Sequence, residues 1–212
     1  FMDSYLYITF NSIHGLEGGA GGDGSYGGSS NGSIAGDGGN SGFGGGVYGI
    51  YAQFSGVMEI LWNNITSSTG GDGGRAGLGG SDYGGGGNDG VSGDCGNGGS
   101  NYPLFFSDSG FLKISGNFMD ENLGGVGFSS VGGIDGDDGT IFGIYLDYIT
   151  DVLLYLNAFN ADENFIEDDS TVSLTHNMIG NYWSKVWDIK DTNPLDGIND
   201  NWVSFSGASC IL

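Results

Sequence analysis

The sequence predicts an all-β chain wound as a parallel solenoid. Three observations carry that prediction: short segments alternating at period two, a repeat anchored on asparagine, and glycine-rich tracts that interrupt the repeat. Five stretches align without gaps: Leu6-Tyr-Ile-Thr-Phe-Asn11-Ser-Ile13, Met58-Glu-Ile-Leu-Trp-Asn63-Asn-Ile65, Leu112-Lys-Ile-Ser-Gly-Asn117-Phe-Met119, Val152-Leu-Leu-Tyr-Leu-Asn157-Ala-Phe159 and Val172-Ser-Leu-Thr-His-Asn177-Met-Ile179. Writing Φ for an apolar residue, the pattern is Φ-x-Φ-x-x-Asn-x-Φ, and all fifteen Φ positions are apolar. The residue between the first two Φ is Tyr7, Glu59, Lys113, Leu153 or Ser173, a mixture that suits a face not consistently buried. One buried side per strand follows.

A second block precedes three of the anchors at identical distances: Tyr48-Gly-Ile-Tyr51, Tyr102-Pro-Leu-Phe105 and Phe142-Gly-Ile-Tyr145. Each repeat therefore holds at least two short strands. The anchors Asn11, Asn63, Asn117, Asn157 and Asn177 lie 52, 54, 40 and 20 residues apart. A solenoid turn of about 20 residues accounts for the shortest spacing, and the first two spacings then contain glycine-rich excursions of about 30 residues. The spacing of 40 holds either a further coil through Val126–Val131 or a shorter excursion.

Short strands with one apolar face, and no Asn-Gly turn to join them as hairpins, bury that face by stacking on the equivalent strand one coil away. Like side chains then form columns, each apolar group contributing roughly 1.5–3 kcal/mol. Asparagine suits the bend because it tolerates positive φ and its amide can bond to the asparagines above and below. The excursions, about 15–49, 70–99 and 124–139, read either as disordered loops or as ordered segments packed through backbone hydrogen bonds. Punctuation by Tyr26, Ile34, Phe43, Leu78 and Tyr83 favours order. Phosphate cradling is excluded, because no Lys-Ser/Thr follows any Gly-x-Gly-x-x-Gly match.

Composition bounds the function. The 212 residues include 47 Gly and 2 Pro, yet 38% are hydrophobic and 13% aromatic, too much apolar surface for a solvated linker. Four Lys+Arg against 26 Asp+Glu give a net charge of −22, which argues against nucleic acid and anionic membranes as partners. The apolar stretch Thr140–Phe159 is broken by Asp147 and Asp151, so membrane insertion is not expected. Phe1 comes first and no basic n-region precedes it, as expected of a cleaved leader or a trimmed start. An oxidising, extracellular setting at the cell surface or envelope is expected from the even cysteine count and two sequons, Asn31-Gly32-Ser33 and Asn64-Ile65-Thr66, which make Asn31 and Asn64 glycosylation candidates. A disulfide between Cys95 and Cys210 is expected, either within the chain or between subunits.

Towards the C-terminal side, Gly180-Asn181-Tyr182-Trp183-Ser184, followed by Asp196-Gly197-Ile198-Asn199-Asp200, resembles the closing signature of right-handed parallel β-helix repeat proteins of archaeal cell surfaces. The sequence departs from that signature at Lys185-Val186 and at Asn199. The resemblance implies a right-handed parallel β-helix, here of about five or six coils in one domain over residues 1–212. It also implies a surface-layer, adhesin-like or carbohydrate-related role. The glycine excess looks most like a self-assembling sheath or surface-coat subunit, such as the sheath of methanogenic archaea.

Chemistry is sparse. Parallel β-helices that cleave polysaccharides group carboxylates with Arg or Lys, whereas the cations here are Arg75, Lys113, Lys185 and Lys190, and His14 and His176 have no nucleophile in motif spacing. No catalytic residue and no cofactor is expected. The best metal set is Asp191, Asn193, Asp196 and Asp200, oxygen donors of the kind Ca²⁺ takes, with one residue too many for an EF-type loop. Asp135, Asp137 and Asp138, and Glu167, Asp168 and Asp169, are weaker sets. The leading expectation is a non-enzymatic extracellular protein that polymerises through strand edges. The alternative is a carbohydrate-binding or adhesin module in which Tyr182, Trp183, Trp187 and Trp202 stack on glycans.

Overall fold

The computed structural model describes residues 4–53, 56–108, 110–149 and 151–160, and the backbone of four further strands within 166–191. Among the described residues it contains fifteen strands and no helix. The chain enters three parallel sheets in rotation. The first holds β1 (Tyr5–Thr9), β4 (Val57–Leu61), β7 (Phe111–Ser115), β10 (Asp151–Tyr155) and β13 (Thr175–Ile179), hydrogen-bonded in that order. The second runs β2 (Ser12–His14), β5 (Asn64–Thr66), β8 (Phe118–Asp120), β11 (Ala158–Asn160) and β14 (Tyr182–Trp183). The third runs β3 (Val47–Gln53), β6 (Asn101–Ser107), β9 (Ile144–Asp147), β12 (Ile166–Asp168) and β15 (Ile189–Asp191). This arrangement is compatible with an all-β parallel solenoid, with three strands per repeat where the sequence promised at least two.

Register turns the alternation into columns. Met58 pairs with Leu112 and Leu112 with Val152, while Ile60, Ile114 and Leu154 form the next column of the first sheet. Ile65 and Met119 line the second sheet, and Leu104 with Ile144 and Phe106 with Leu146 line the third. All of these side chains are buried in one cluster, and Leu6, Ile8 and Ile13 of the first repeat pack on it partly exposed.

Corners are made by left-handed residues, and here one sequence expectation is corrected. Positive φ falls not on the anchor asparagines but on the residue before each: Phe10, Trp62, Gly116 and Leu156. Phe10, Trp62 and Leu156 point outward, 77%, 53% and 53% exposed, so the unfavourable backbone is occupied by side chains that need no place inside. Gly116 is the exception because the Trp62 ring lies where a Cβ would stand. Further left-handed corners recur at Gly15, Ser67 and Glu121, and at Asp108 and Tyr148.

The excursions are ordered in a register of three. Each leaves the second sheet and returns to the third as a hairpin: out along 17–30 and back along 34–46, out along 69–82 and back along 88–100, out along 123–130 and back along 134–140. In the first outgoing arm Gly18, Gly21, Gly24 and Gly27 donate to Thr69, Asp72, Arg75 and Leu78 of the second. In the first return arm Gly36, Gly39, Gly42 and Gly45 donate to Gly28, Ser25, Gly22 and Gly19 across the hairpin. Donors recurring every third residue, with bonds running only between arms, describe extended segments of three residues per turn, the geometry of polyproline II. The three hairpins stack as layers beside the sheets.

Glycine predominates between layers for the same reason as at the collagen axis, although Ala35 and Ser41 share a column with Gly38 and Gly44. A Cβ on Gly71, Gly74, Gly77 or Gly80 would land on the carbonyl oxygen of Gly19, Gly22, Ser25 or Gly28 in the layer before. The third residue of each triplet faces solvent and carries a side chain: Ala20, Asp23, Tyr26 and Ser29 in the first outgoing arm, Asp72, Arg75, Leu78 and Ser81 in the second.

Candidate functional site

Four of the five predicted anchors form a continuous ladder, buried at Asn63, Asn117 and Asn157 and exposed at Asn11. The backbone N–H and Nδ2 of Asn11 both donate to Oδ1 of Asn63, at 3.0 and 2.9 Å. Asn63 repeats this towards Asn117, and Asn117 towards Asn157, each bond 2.9 Å. Each amide also donates back to a strand carbonyl, Asn63 to Ile8, Asn117 to Ile60 and Asn157 to Ile114, so the polar column costs little inside an apolar body. The fifth anchor differs. Strand β13 sets Asn177 opposite Leu153, four residues off the column, because the last repeat is longer by four residues than the alignment assumed.

The upstream blocks fall on the outer face of the third sheet as two aromatic columns. Tyr48, Tyr102 and Phe142 stack at 4.9 and 4.7 Å, and Tyr51, Phe105 and Tyr145 at 5.0 and 4.8 Å. Edge-to-face contacts of 5.5–5.8 Å tie the columns together. Because the rings stack along the column, their faces cover one another and their edges meet solvent. Open faces remain on the end rings, Tyr48 and Tyr51, which are 45% and 56% exposed.

Those end rings belong to β3, and β3 is the outermost strand of its sheet, as β1 and β2 are of theirs. The first repeat thus presents three strand edges together, with Tyr5, Tyr7 and Phe10 exposed beside them. Among the described residues the Asn11 Oδ1 accepts no hydrogen bond, so the ladder also ends there on an open acceptor.

Acidic residues explain part of the charge by serving as acceptors between glycine layers. Asp23 Oδ1 accepts the Arg75 N–H, Asp37 that of Val91, Asp72 that of Val126 and Asp94 that of Ile134, each at 2.9 Å. Asn40 and Asn97 do the same for Asp94 and Asp137. At the tips, Asp82 accepts N–H bonds from Gly32, Gly84 and Gly87 at 2.7, 3.0 and 2.7 Å. These donors, the Gly32 amide foremost, pull its carboxyl down to about 2. Lys113 Nζ lies 3.0 Å from Glu59 Oε2 on the outer face of the first sheet, and that hydrogen bond raises its pKa.

The remaining candidates are scattered. Asn31 is exposed at the tip of the first excursion and Asn64 at the start of β5. Cys95 is buried, forms no disulfide among the described residues and accepts the Ala76 N–H at 3.4 Å, while its expected partner Cys210 lies outside the described residues. Of the metal set, Asp191 ends β15 and Asn193, Asp196 and Asp200 lie outside the described residues. Among the described residues no group of three His, Cys, Asp or Glu is placed to hold a metal ion. Asp135 and Asp138 instead bond to the Ser130 and Gly127 amides. Tyr182 and Trp183 form β14, and Trp187 and Trp202 lie outside the description.

A groove of ≈ 470 Å³ opens where the shorter third excursion stops against the second, lined by Asp23, Arg75, Leu78, Cys95 and Phe128. The Arg75 guanidinium covers the Phe128 ring at 4.8 Å.

No family model, no curated protein and no solved structure matches this chain.

Proposed function

We propose that the chain is a non-enzymatic structural subunit of an extracellular coat, sheath or surface lattice, which assembles with further copies through its strand edges. In this reading the three sheets close into a right-handed parallel β-helix of about five or six coils, as in the cell-surface family its C-terminal motif resembles. The observation that carries the proposal is the parallel, in-register pairing of equivalent strands in all three sheets, which any uncovered edge strand offers to another copy. Such an edge is a template for β-addition unless it is covered or charged, and here it is flanked by exposed Tyr5, Tyr7, Tyr48 and Tyr51.

Glycan binding is the weaker reading. Sugar rings stack on open aromatic faces, and most faces in the two columns are occupied by the neighbouring ring. Electron microscopy of the purified chain at micromolar concentration separates the two. Regular polymers that disappear in Tyr7→Lys/Tyr48→Lys, which charges two edge strands, support the coat. A persistent monomer that binds glycans overturns it.

A further inference from the structure

The third glycine layer leaves the second part-way along, and the residues at that point explain why. In the second layer Gly74 and Gly77 stand in a column where a Cβ would land on a carbonyl oxygen of the first layer. At the spacing of 54 that relates Asp72 to Val126, the same column of the third layer holds Phe128 and Val131. Side chains in that column cannot lie flat on the layer before. The hydrogen bonds record the departure: Gly70 and Gly73 donate to Leu123 and Val126, but the next donor in line, Ala76, turns to Cys95 Sγ. The groove of ≈ 470 Å³ is the gap that results, a size within the roughly 300–1,000 Å³ of small-molecule sites.

Two donors are left open beside this gap. Along the outer columns, an Asp or Asn oxygen of one layer accepts the N–H of the equivalent residue in the next: Asp23 for Arg75, Asp72 for Val126, Asp94 for Ile134 and Asn97 for Asp137. At the step from Arg75 to Ser129 the chain supplies a cation where the acceptor should be. Among the described residues the Ser129 N–H consequently has no acceptor.

The Arg75 guanidinium is the second donor. It makes no ion pair among the described residues, in a chain with 26 Asp+Glu, whereas Lys113 is paired with Glu59. Asp23 is adjacent in the first layer, but its Oδ1 holds the Arg75 backbone N–H while the guanidinium turns to the third layer, over the Phe128 ring at 4.8 Å. Stacking on one face holds the plane and leaves the fork of N–H groups at its edge for an acceptor with two oxygens. Apolar walls complete the site, with exposed Tyr26, Leu78 and Val131 lining the groove beside Phe128.

We propose that the groove binds a small organic carboxylate with an apolar body. The carboxylate bridges the Arg75 guanidinium and the Ser129 N–H, in the place of the missing acceptor, and the body lies against Phe128 and Leu78. A carboxylate is the group that fills this role at Asp23, Asp72 and Asp94, and the apolar walls favour an organic anion over an inorganic one. The net charge of −22 opposes anions at long range, but that field fades over about 8 Å at physiological salt and the contact is short. The site lies on the excursions and owes nothing to the strand edges used in assembly.

Saturation-transfer difference NMR with 3-phenylpropanoate tests the site on the full chain. It reads binding to monomer and polymer alike, so its outcome is separate from that of the coat. The expected result is saturable binding whose dissociation constant rises at least ten-fold in Arg75→Asn, since the cation is lost and the new amide oxygen can accept the Ser129 N–H as Asn97 accepts that of Asp137. Lys113→Gln should leave the constant unchanged, and both variants should melt with wild type, because both side chains lie on the surface. The neutral 3-phenylpropanamide, and acetate, should each bind at least ten-fold more weakly than 3-phenylpropanoate. No saturable signal, equal constants for wild type and Arg75→Asn, or equal constants for acid and amide would overturn the site. Acetate binding as tightly as 3-phenylpropanoate would overturn the part given to the apolar walls.

Discussion

The sheets and the glycine hairpins solve the same stacking problem with opposite means. In the sheets, register is two, and what is buried is side chain: Met58 over Leu112, Leu104 over Ile144, Phe106 over Leu146. In the hairpins, register is three, and what is buried is mostly backbone, with glycine at most positions where two layers meet. Apolar burial is non-directional and repays the ordering of the chain from area alone. The hairpins order the residue with the most conformational freedom to lose and bury little apolar surface, so their stability rests on hydrogen bonds made correctly in several directions at once. A side-chain column tolerates some change of shape, whereas a Cβ added at Gly71, Gly74, Gly77 or Gly80 meets a carbonyl oxygen directly.

That contrast can be broken at several strengths. Phe106→Ala removes a fully buried ring from the third-sheet column and should cost about 3–5 kcal/mol in global unfolding, measured by denaturant titration. Gly74→Ala adds only a methyl group, aimed at the Gly22 carbonyl. It should reduce amide protection through the first and second excursions at least ten-fold while shifting the global transition far less than Phe106→Ala. If both variants moved only the global transition, the hairpins would not be a separate unit.

Acid gives the mildest test. The Asp82 carboxyl is lowered from 3.8 to about 2 by amides that bind its charged form, so the folded tip is favoured fully above pH 3.8 and loses that contribution as pH falls towards 2. Exchange at Gly32, Gly84 and Gly87 should accelerate in that window, and Asp82→Asn should show the fast rates already at neutral pH.

The sequence displayed the sheets well, because period two and a repeated asparagine survive any insertion between them. The two aromatic blocks were found from spacing alone and became the stacked columns. The third strand of each repeat escaped, since Ser12–His14 and its equivalents are only three residues long and lie inside the anchor motif. Asparagine was credited with the corner that Phe10, Trp62 and Leu156 make, because residue preference for positive φ is a weak guide where an exposed side chain meets no other demand. Asn177 was misplaced by an alignment without gaps over a repeat that is longer than it looked. In the excursions the tract boundaries were legible and the order was not. Its signal is the non-glycine residue at every third position, Ala20, Asp23, Tyr26 and Ser29, a period that belongs to neither helix nor strand.

The most direct measurement is residue-resolved amide exchange on dilute monomer, comparing Gly22 with Gly74. The two glycines hold the same place in successive layers, and only Gly74 has an acceptor, the Gly42 carbonyl. The account predicts slow exchange at Gly71, Gly74, Gly77 and Gly80 and fast exchange at Gly19, Gly22 and Gly28. Uniformly fast exchange along 69–82 would mean that the excursions are not layered, and the account would fail.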